Sequence, residues 1–592
     1  MRLHSSLYLT SLFLPGALSN FLGPIYPAPR DLSSRNSIVA NAFNNLTRAL
    51  DSSFRGHSNT TLSELSDLTF SVGLFSTRDA GAETLQYHHA SPETANSTLG
   101  TRQPDGDSIY RIASVSKLFT VYAGLIELWP EDWERPLSQI FPELVQPDDD
   151  DIDVTSDTQW DYITPWFLAA QLGGVAQYAI PWTQDLLVTP AGPETIASLG
   201  LPAVDLTTLA TQYPCAAGLV TGSSVNCTAS EYASGAEPLP PIAQPWSLPV
   251  YSNNGFTLLG AAIANITGRS LDELYKGTLF DPLGMQSSYS VPPPESEQSR
   301  GVVISPPEVN WALDNGLSKA SGGLYSTLND LAKFSISILN STLLSPLQTR
   351  RWMKPLTHTS NLYNSFGAPW EIYRYEHPDT GLITDIYTKL GDSGFYGSIA
   401  LFIPDFDAGF NVITASSQDK RSNQTLDLIQ AVADAVFPAL TKQAAVELQE
   451  NYAGTYVSTT KGLNTSITFS PSQDGTPGLE ITNWINNGTV FGLKQIALAA
   501  GHTGIYKLRP IISPEGDEGR IVFRPAFTPQ APVLPRDPSN LFTSFYDGDD
   551  NAFLGQTIYA QQFVSSFVFD VEADGSASAV ELPAWKVKLE KR

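Results

Sequence analysis

The spacing of apolar and polar positions divides this chain into two parts that meet near residue 445. In the first part, segments with helical apolar spacing alternate with β-branched and aromatic runs bounded by turn residues. The pattern predicts helices over 37–51, 114–129, 254–267 and 425–440, and strands over 68–76, 84–90, 384–393, 398–403 and 409–415. We therefore expect residues 20–445 to form one α+β domain.

The second part, from about residue 449, has a different pattern. Short β-branched and aromatic runs alternate with turns at 466–469, 479–484, 489–496, 504–508 and 520–523. Such regular short runs are typical of a β-barrel or a β-sandwich. Residues 446–592 are therefore expected to form a separate β-rich domain.

The first 19 residues have the features of a secretory signal peptide. Arg2 and His4 precede an apolar stretch over 7–14, and small residues at 17–19 provide a cleavage site. The apolar stretch is too short to span a bilayer, and no later segment predicts a membrane helix. The alternative is a buried N-terminal strand. We expect a secreted, extracellular protein.

Composition narrows the functional classes. The chain of 592 residues is long enough for more than one core, and its apolar content of 42% is normal for a globular protein. Its formal net charge of −26 disfavours nucleic acid as a partner, because phosphates would be repelled. Oligomeric state is left open.

Cysteines and glycosylation sequons agree with an oxidising compartment. Cys215 and Cys227 lie close together in a loop rich in Gly, Ser and Thr, where a disulfide is favoured over two free thiols. The Asn-x-Ser/Thr sequons begin at Asn45, Asn59, Asn96, Asn226, Asn265, Asn340, Asn423, Asn464 and Asn487. Their density suits a eukaryotic glycoprotein.

Three short motifs provide candidate chemistry, in the order S-x-x-K from Ser114 to Lys117, Y-x-N from Tyr251 to Asn253, and K-L-G from Lys389 to Gly391. Together they supply a hydroxyl nucleophile, two cations and a phenol, which acyl transfer through a serine ester requires. Each motif alone is weak evidence, since S-x-x-K also occurs at 417–420 and 458–461.

Ser114 and Lys117 are predicted on the first turn of a helix, where residues three apart share a face. The helix N-terminus favours a developing negative charge, and the amide of Ser114 is one of its free donors. The alternative is that Ser114 only caps the helix, which is a common function of serine.

Tyr251 and Asn253 come directly before a predicted helix. Nearby lysines would lower the pKa of the phenol, so Tyr251 could accept the proton of Ser114. Asn253 could contact a substrate carbonyl or orient Lys117. The alternative is a turn asparagine beside a half-buried tyrosine.

Lys389, Gly391 and Asp392 fall in a predicted strand. Gly391 would let a substrate backbone lie close to that strand, and the amide of Asp392 could form an oxyanion hole with that of Ser114. The alternative is that Lys389 only protects an edge strand from aggregation.

These motifs resemble those of the serine β-lactamase and penicillin-binding-protein family, in its class C form with Tyr-x-Asn. The resemblance extends over roughly residues 35–440 and includes KLGDSGFYGSIALFIP (389–404), ASGGLYSTLNDLAKF (320–334) and FDPLGM (280–285). It implies an antiparallel sheet flanked by helices. The C-terminal part is similar to the lipocalin-like barrel domains of some secreted fungal members.

The resemblance also implies roles for individual residues. Ser114 would be the nucleophile, Lys117 and Tyr251 the activating pair, Asn253 a contact to substrate or lysine, and Lys389 the electrostatic anchor. Gln177, which follows two glycines, would match a substrate-contacting glutamine. No metal or organic cofactor is implied.

Two departures from the family pattern affect the expected substrate. Leu390 replaces the usual threonine, whose hydroxyl helps to hold a substrate carboxylate, and Asp392 adds a negative charge nearby. Residues 390 and 392 share a face of a strand. We therefore expect an anionic β-lactam to bind poorly and penicillin hydrolysis to be weak or absent.

The sequence thus favours a secreted serine hydrolase acting through an acyl-enzyme on an ester or amide, as an esterase, a D-aminopeptidase or a weak β-lactamase. One alternative is a catalytically silent binding protein that retains the fold. Another is an acyltransferase or esterase of a secondary-metabolite pathway.

Overall fold

A computed structural model of the protein describes residues 24, 26–57, 61–145, 152–179, 192–202, 205, 215, 227–378, 383–472, 477–492, 495, 505–511, 519–528 and 558–592. The predicted signal peptide at 1–19 and the sequon residues Asn59 and Asn226 lie outside these residues. The chain divides into two compact units. The larger comprises the described residues of Asp31–Arg374 and Ile386–Ala439, and the smaller those of Met1–Arg30, Tyr375–Asp385 and Leu440–Arg592.

An eight-stranded sheet and a separate strand pair organise the first part of the chain. Its strands are β1 Thr69–Ser76, β2 Gln86–His89, β3 Tyr110–Arg111, β4 Tyr325–Ser326, β5 Thr357–His358, β6 Asn364–Phe366, β7 Glu371–Glu376, β8 Ile383–Ser393, β9 Tyr396–Ile403 and β10 Ala408–Ala415. The order in the sheet is β2-β1-β10-β9-β8-β7-β6-β5, whereas β3 pairs with β4. The registers that the structure describes are antiparallel.

Fifteen α-helices are defined among the described residues. They are α1 Ile38–Phe54, α2 Pro92–Ala95, α3 Ser116–Glu127, α4 Pro130–Trp133, α5 Leu137–Ile140, α6 Pro165–Ala169, α7 Gly192–Leu199, α8 Ala229–Ala236, α9 Asn253–Thr267, α10 Leu271–Leu274, α11 Asp281–Leu283, α12 Lys319–Gly322, α13 Leu328–Leu339, α14 Pro346–Trp352 and α15 Arg421–Tyr452. Within this part of the chain, no helix is both long and apolar enough to cross a membrane.

Helices cover both faces of the sheet, and this explains why its central strands are so apolar. Strands β1, β9 and β10 are buried at every position. On one face, α13 contributes Ser335, whose hydroxyl donates to Asn411 on β10 (3.3 Å). On the other, Thr425 of α15 hydrogen-bonds Thr414 of the same strand (2.8 Å). A strand buried on both faces shows a continuous apolar run instead of an alternating one.

Helix α15 is longer than the sequence predicts. The sequence predicts that the helix ends near residue 440, and Pro438 within it cannot donate an intrahelical hydrogen bond. It continues to Tyr452 because apolar residues recur every four positions and are buried. This stripe consists of Leu428, Val432, Val436, Leu440, Ala444, Leu448 and Tyr452. The expected domain boundary near 445 consequently lies inside a helix.

The smaller unit contains a nine-stranded antiparallel sheet. The strands of this sheet are β11 Gly454–Val457, β12 Ser466–Pro471, β13 Leu479–Asn486, β14 Thr489–Phe491, β15 Ile505–Ile511, β16 Arg520–Thr528, β19 Phe567–Val571, β20 Ala577–Leu582 and β21 Val587–Lys591. The short strands β17 Ile558–Tyr559 and β18 Gln562–Phe563 pair with each other outside it. The order is β12-β11-β21-β20-β19-β16-β15-β13-β14, and β13 also pairs with β12, so the pairings form a closed circuit. The chain is therefore an α+β domain followed by a β-rich domain.

Candidate active site

Ser114 lies on a tight turn that the surrounding backbone holds in place. It is the central residue of the 3₁₀ turn Ala113–Val115, directly before α3. Ala113 has a φ of 44°, a conformation that residues other than glycine rarely adopt. The hydroxyl of Ser116 donates to the carbonyl of Ala113 (2.6 Å) and accepts from the amide of Leu324 (3.1 Å). The capping position of α3 is Val115, so Ser114 is not its N-cap.

Lys117 follows on the first turn of α3, and its side chain is fully buried. Its ammonium donates to three oxygens: Ser114 Oγ (3.1 Å), Asn253 Oδ1 (2.7 Å) and the carbonyl of Ser321 (2.5 Å). The three acceptors match the three N–H donors of a charged lysine, which has no lone pair with which to accept a proton. Lys117 therefore acts as a hydrogen-bond donor to Ser114.

Tyr251 and Asn253 are placed by the N-terminus of α9. The hydroxyl of Ser252 caps this helix by accepting from the amide of Gly255 (2.8 Å). The phenolic oxygen of Tyr251 lies 2.7 Å from Ser114 Oγ, and its ring lies 4.8 Å from Lys117 Nζ. Tyr251 is 37% exposed, so the hydroxyl pair is close to solvent. Four predicted residues are thus brought together.

Lys389 lies on β8, between β7 and β9, and so is not on an edge strand. It is 2% exposed, and its ammonium lies 5.3 Å from the centroid of the Tyr251 ring. Nζ donates to the carboxylate of Glu371 and to the carbonyl of Leu390 (2.8 Å). The second oxygen of Glu371 accepts from the amide of Leu390 (2.8 Å). Lys389 therefore faces Tyr251 with its charge already paired.

Gly391 is required by a close approach of β8 to the serine turn. A Cβ at this position would lie 2.2 Å from Ser398 Oγ, 2.6 Å from the carbonyl of Ile112 and 3.1 Å from the amide nitrogen of Ser114. Contacts under 3 Å are not compatible with a side chain, so only glycine fits here. The absent side chain lets β8 approach the backbone of Ser114.

The side chain of Asp392 lies on the opposite face of β8, which corrects an expectation from the sequence. In the register of β8 with β9, Gly391 pairs with Ser398 and Asp392 with Gly397. Directly paired residues share a face, and Gly397 lies against Arg421 of α15. Asp392 accordingly accepts a hydrogen bond from Arg421. Its charge is neutralised there and does not lie beside Lys389.

Burial and neighbouring charges shift the pKa values of the three central groups. Burial lowers the pKa of Lys117 to about 8, an effect that Tyr251 opposes and the charge of Lys389 reinforces. Burial acts to raise the pKa of Tyr251, but the two lysines and its hydrogen bonds lower it overall. Burial also disfavours the charged form of Lys389, yet Glu371 and Tyr251 together raise its pKa.

The remaining predictions lie around this cluster. Gln177 is beside the start of α9, where its carbonyl accepts from the amide of Asn254 (2.9 Å), and its side chain is exposed. Cys215 and Cys227 form the predicted disulfide. Among the described residues, no group of three or more His, Cys, Asp or Glu side chains is placed to hold a metal ion.

Sequence reasoning missed Glu371, Arg421 and Ser321. No motif surrounds Glu371, and its contact with Lys389 depends on which strands become neighbours. Arg421 was hidden for the same reason, because a helix brings it to Asp392. Ser321 contributes only a backbone carbonyl, which leaves no trace in residue type.

Two family models match parts of this chain. Residues 200–434 match the family model "Beta-lactamase", and residues 444–592 match "Beta-lactamase-like-like, C-terminal domain". The first match includes Tyr251, Asn253 and Lys389, whereas Ser114 and Lys117 precede it. The matched residues thus correspond to a β-lactamase-like domain and an additional β-rich domain.

Related proteins are similar over most of the chain. A "Beta-lactamase-like protein" of Arthroderma benhamiae is 28% identical over 82% of this chain and 76% of its own length. A "Probable hydrolase clz13" of Cochliobolus lunatus is 27% identical over 69% of this chain, which spans 66% of that relative. A class C β-lactamase from Rhodobacter sphaeroides is similar in structure, with a TM-score of 0.45 and 15% identity over 66% of this chain and 99% of its own. The chain is thus similar to β-lactamase-like proteins over most of its length.

Proposed function

We propose that this protein is a serine acyl hydrolase that acts on an ester or amide through a covalent acyl-enzyme. The observation that supports this most directly is the position of Ser114 Oγ, 2.7 Å from the phenolic oxygen of Tyr251 and 3.1 Å from Lys117 Nζ. A nucleophile within hydrogen-bond reach of a base that other groups orient is the arrangement such catalysis requires.

In this proposal Tyr251 is the base. Lys117 donates to three oxygens and holds no free lone pair while charged. Tyr251 has a lowered pKa because two cations stabilise its phenolate. The phenolate accepts the proton of Ser114 as Oγ forms a bond to the substrate carbonyl carbon.

The tetrahedral intermediate then collapses. Its carbonyl oxygen carries the negative charge and is stabilised by the amides of Ser114 and Asp392, which the close approach of β8 supports. The bond from the carbonyl carbon to the leaving group breaks, and the phenol of Tyr251 returns its proton to that group. Water then repeats these steps on the acyl-serine and releases a carboxylic acid and free Ser114.

We also propose that the protein is a secreted glycoprotein. Asn45, Asn96, Asn265, Asn340, Asn423, Asn464 and Asn487 are exposed sequon residues. The disulfide between Cys215 and Cys227 is compatible with an oxidising compartment.

The test compares Ser114→Ala with wild type on p-nitrophenyl esters and D-amino-acid amides. We expect the substitution to lower kcat/KM by about 10⁴-fold or more, and a fluorophosphonate probe to label wild type alone. Ser417→Ala is the matched control, because Ser417 begins an identical S-x-x-K motif on the surface. It should retain full activity and labelling.

The same test separates the catalytically silent binding protein from the enzyme. A binding protein would show equal, residual turnover in wild type and Ser114→Ala and would take up no label. Equal activity of the two proteins would remove the proposed role of Ser114.

A further inference from the structure

The cation nearest to Tyr251 on the sheet side already holds an anion from its own chain. The ammonium of Lys389 is buried, and Glu371 accepts from it with one carboxylate oxygen. The second oxygen accepts from the amide of Leu390 (2.8 Å), so the carboxylate is bound at both ends. A carboxylate held by an ammonium and a backbone amide occupies a complete anion-binding position.

Lys389 has few N–H donors left for an anionic substrate. Of the three N–H donors of Lys389, one is used by Glu371 and one by the carbonyl of Leu390 (2.8 Å). An anionic substrate would have to displace Glu371 or lie next to it. To displace Glu371, the substrate would have to compete with a carboxylate that the chain holds at high effective concentration. If it lay next to Glu371 instead, the two negative charges would repel each other.

The acidic side chain at the anion-binding position of Lys389 is that of Glu371 and not that of Asp392. Asp392 lies on the other face of β8 with Arg421, as the pairing of Asp392 with Gly397 requires. The charge that disfavours anions therefore comes from β7, far from the motif in sequence.

Apolar side chains are exposed shortly before Tyr251 in the sequence. The segment that leads into α9 exposes Trp246 by 46% and Leu248 by 51%, and the Trp246 ring packs on Phe167 at 4.7 Å. Exposed apolar side chains this close to Tyr251 in sequence favour apolar substrate groups over charged ones.

We propose that Glu371 is a specificity-determining residue that reserves the site for acyl donors with an uncharged acyl group. The inference rests on the proposed acyl hydrolase function and names its substrate class: neutral esters or amides with an apolar acyl chain. Carboxylate-bearing substrates are disfavoured because Glu371 already occupies the cation that would bind them.

Two esters of equal acyl length test the inference on wild type. The probes are p-nitrophenyl butyrate and mono-p-nitrophenyl succinate, which differ by a methyl group against a carboxylate. We expect wild type to favour the butyrate in kcat/KM by about 30-fold or more. A preference for the succinate would overturn the proposal without any substitution being made.

Glu371→Gln provides the second test. It keeps the shape and removes the charge, so the butyrate-to-succinate ratio should fall about tenfold, mainly through a lower KM for the succinate. Glu376→Gln removes an equal charge from an exposed position of the same strand and should leave the ratio unchanged. A ratio that stays at the wild-type value in Glu371→Gln would overturn the proposal.

Failure of the two proposals can be told apart. If neither ester is hydrolysed in a Ser114-dependent way, the acyl hydrolase function fails. If hydrolysis depends on Ser114 but the succinate is used as well as the butyrate, only the role of Glu371 fails. A purely structural role of Glu371 would lower both kcat/KM values together and leave their ratio constant.

Discussion

Two buried lysines flank Tyr251, and the regions that hold them differ in charge. Lys117, on α3, is surrounded by neutral acceptors from Ser114, Asn253 and Ser321. Lys389, on β8, is paired with the carboxylate of Glu371. Burial lowers the pKa of the first to about 8, while Glu371 raises the pKa of the second. Two equally buried lysines therefore have pKa values shifted in opposite directions, because only Lys389 has a carboxylate beside it.

This difference suggests separate tasks. Lys117 hydrogen-bonds Ser114, the proposed nucleophile, and is the more easily deprotonated of the two lysines. Lys389 contributes a permanent charge at 5.3 Å from the Tyr251 ring centroid and acts on Ser114 only through that phenol. In the proposed mechanism, Lys117 belongs to the reacting hydrogen-bond network, and Lys389 acts on Tyr251 through its charge alone.

The largest expected effect is the loss of Lys117. Lys117→Met keeps the length of the side chain but removes the donor to Ser114 and a charge that stabilises the Tyr251 phenolate. We expect kcat/KM on a neutral ester to fall about 10³-fold or more. Lys389→Met should cost less, about 10- to 100-fold, because Lys389 does not contact the nucleophile. Steady-state kinetics on both variants measures the difference.

Thermal unfolding of each variant is the control for folding. Equal losses in the two variants, with both folded, would contradict the division of tasks between the lysines.

The second prediction concerns pH. In the proposed mechanism Tyr251 acts ionised and Lys117 acts charged, so kcat/KM should first rise with pH through the lowered pKa of Tyr251. Lys117 acts charged, so activity should decline as pH rises through about 8, by roughly tenfold per pH unit above that value. Lys389 adds no further limb in this range because its pKa is raised. The pH profile of kcat/KM on a neutral ester provides the measurement.

The two limbs belong to a coupled group of titrating residues, so the apparent pKa values describe the cluster. Activity that continues to increase from pH 8 to pH 10 would identify neutral Lys117 as the base and would reverse the roles proposed here.

The smallest expected effect comes from the acid nearest to Lys389 in sequence. Asp392→Asn should change kcat/KM by less than about threefold, because the carboxylate lies on the opposite face of β8. It should lower the free energy of unfolding by about 1–2 kcal/mol, since Arg421, only 5% exposed, loses a charged acceptor. Urea unfolding measures the second quantity.

Asp419→Asn is the matched control, because it removes the same charge from an exposed position near Arg421 in sequence. A large activity loss in Asp392→Asn alone would place its carboxylate among the groups that act on the substrate.

Much of this architecture was predictable from sequence. Strands β1, β9 and β10 were found because both faces are buried, and the motifs at Ser114, Tyr251 and Lys389 identified the cluster. Glu371 was not predictable, because its partner is 18 residues away and is chosen by strand order. The side chain of Asp392 was misjudged since alternation alone does not say which face meets the site.

The length of α15 shows another limit. The helix contains Pro438, but a buried stripe with four-residue spacing continues beyond this proline. Packing energy summed over several turns exceeds the cost of one lost hydrogen bond. A helix-breaking residue such as proline predicts a helix end well only where the helix face beyond it is not buried.

The backbone of Ala113 has a consequence for how the protein meets its substrate. An alanine with a φ of 44° has a strained backbone compared with an alanine in an ordinary turn, and the strain costs on the order of 1 kcal/mol. The fold accepts this penalty before any ligand arrives. The free-energy cost of positioning the Ser114 hydroxyl is therefore met during folding, and substrate binding does not have to supply it.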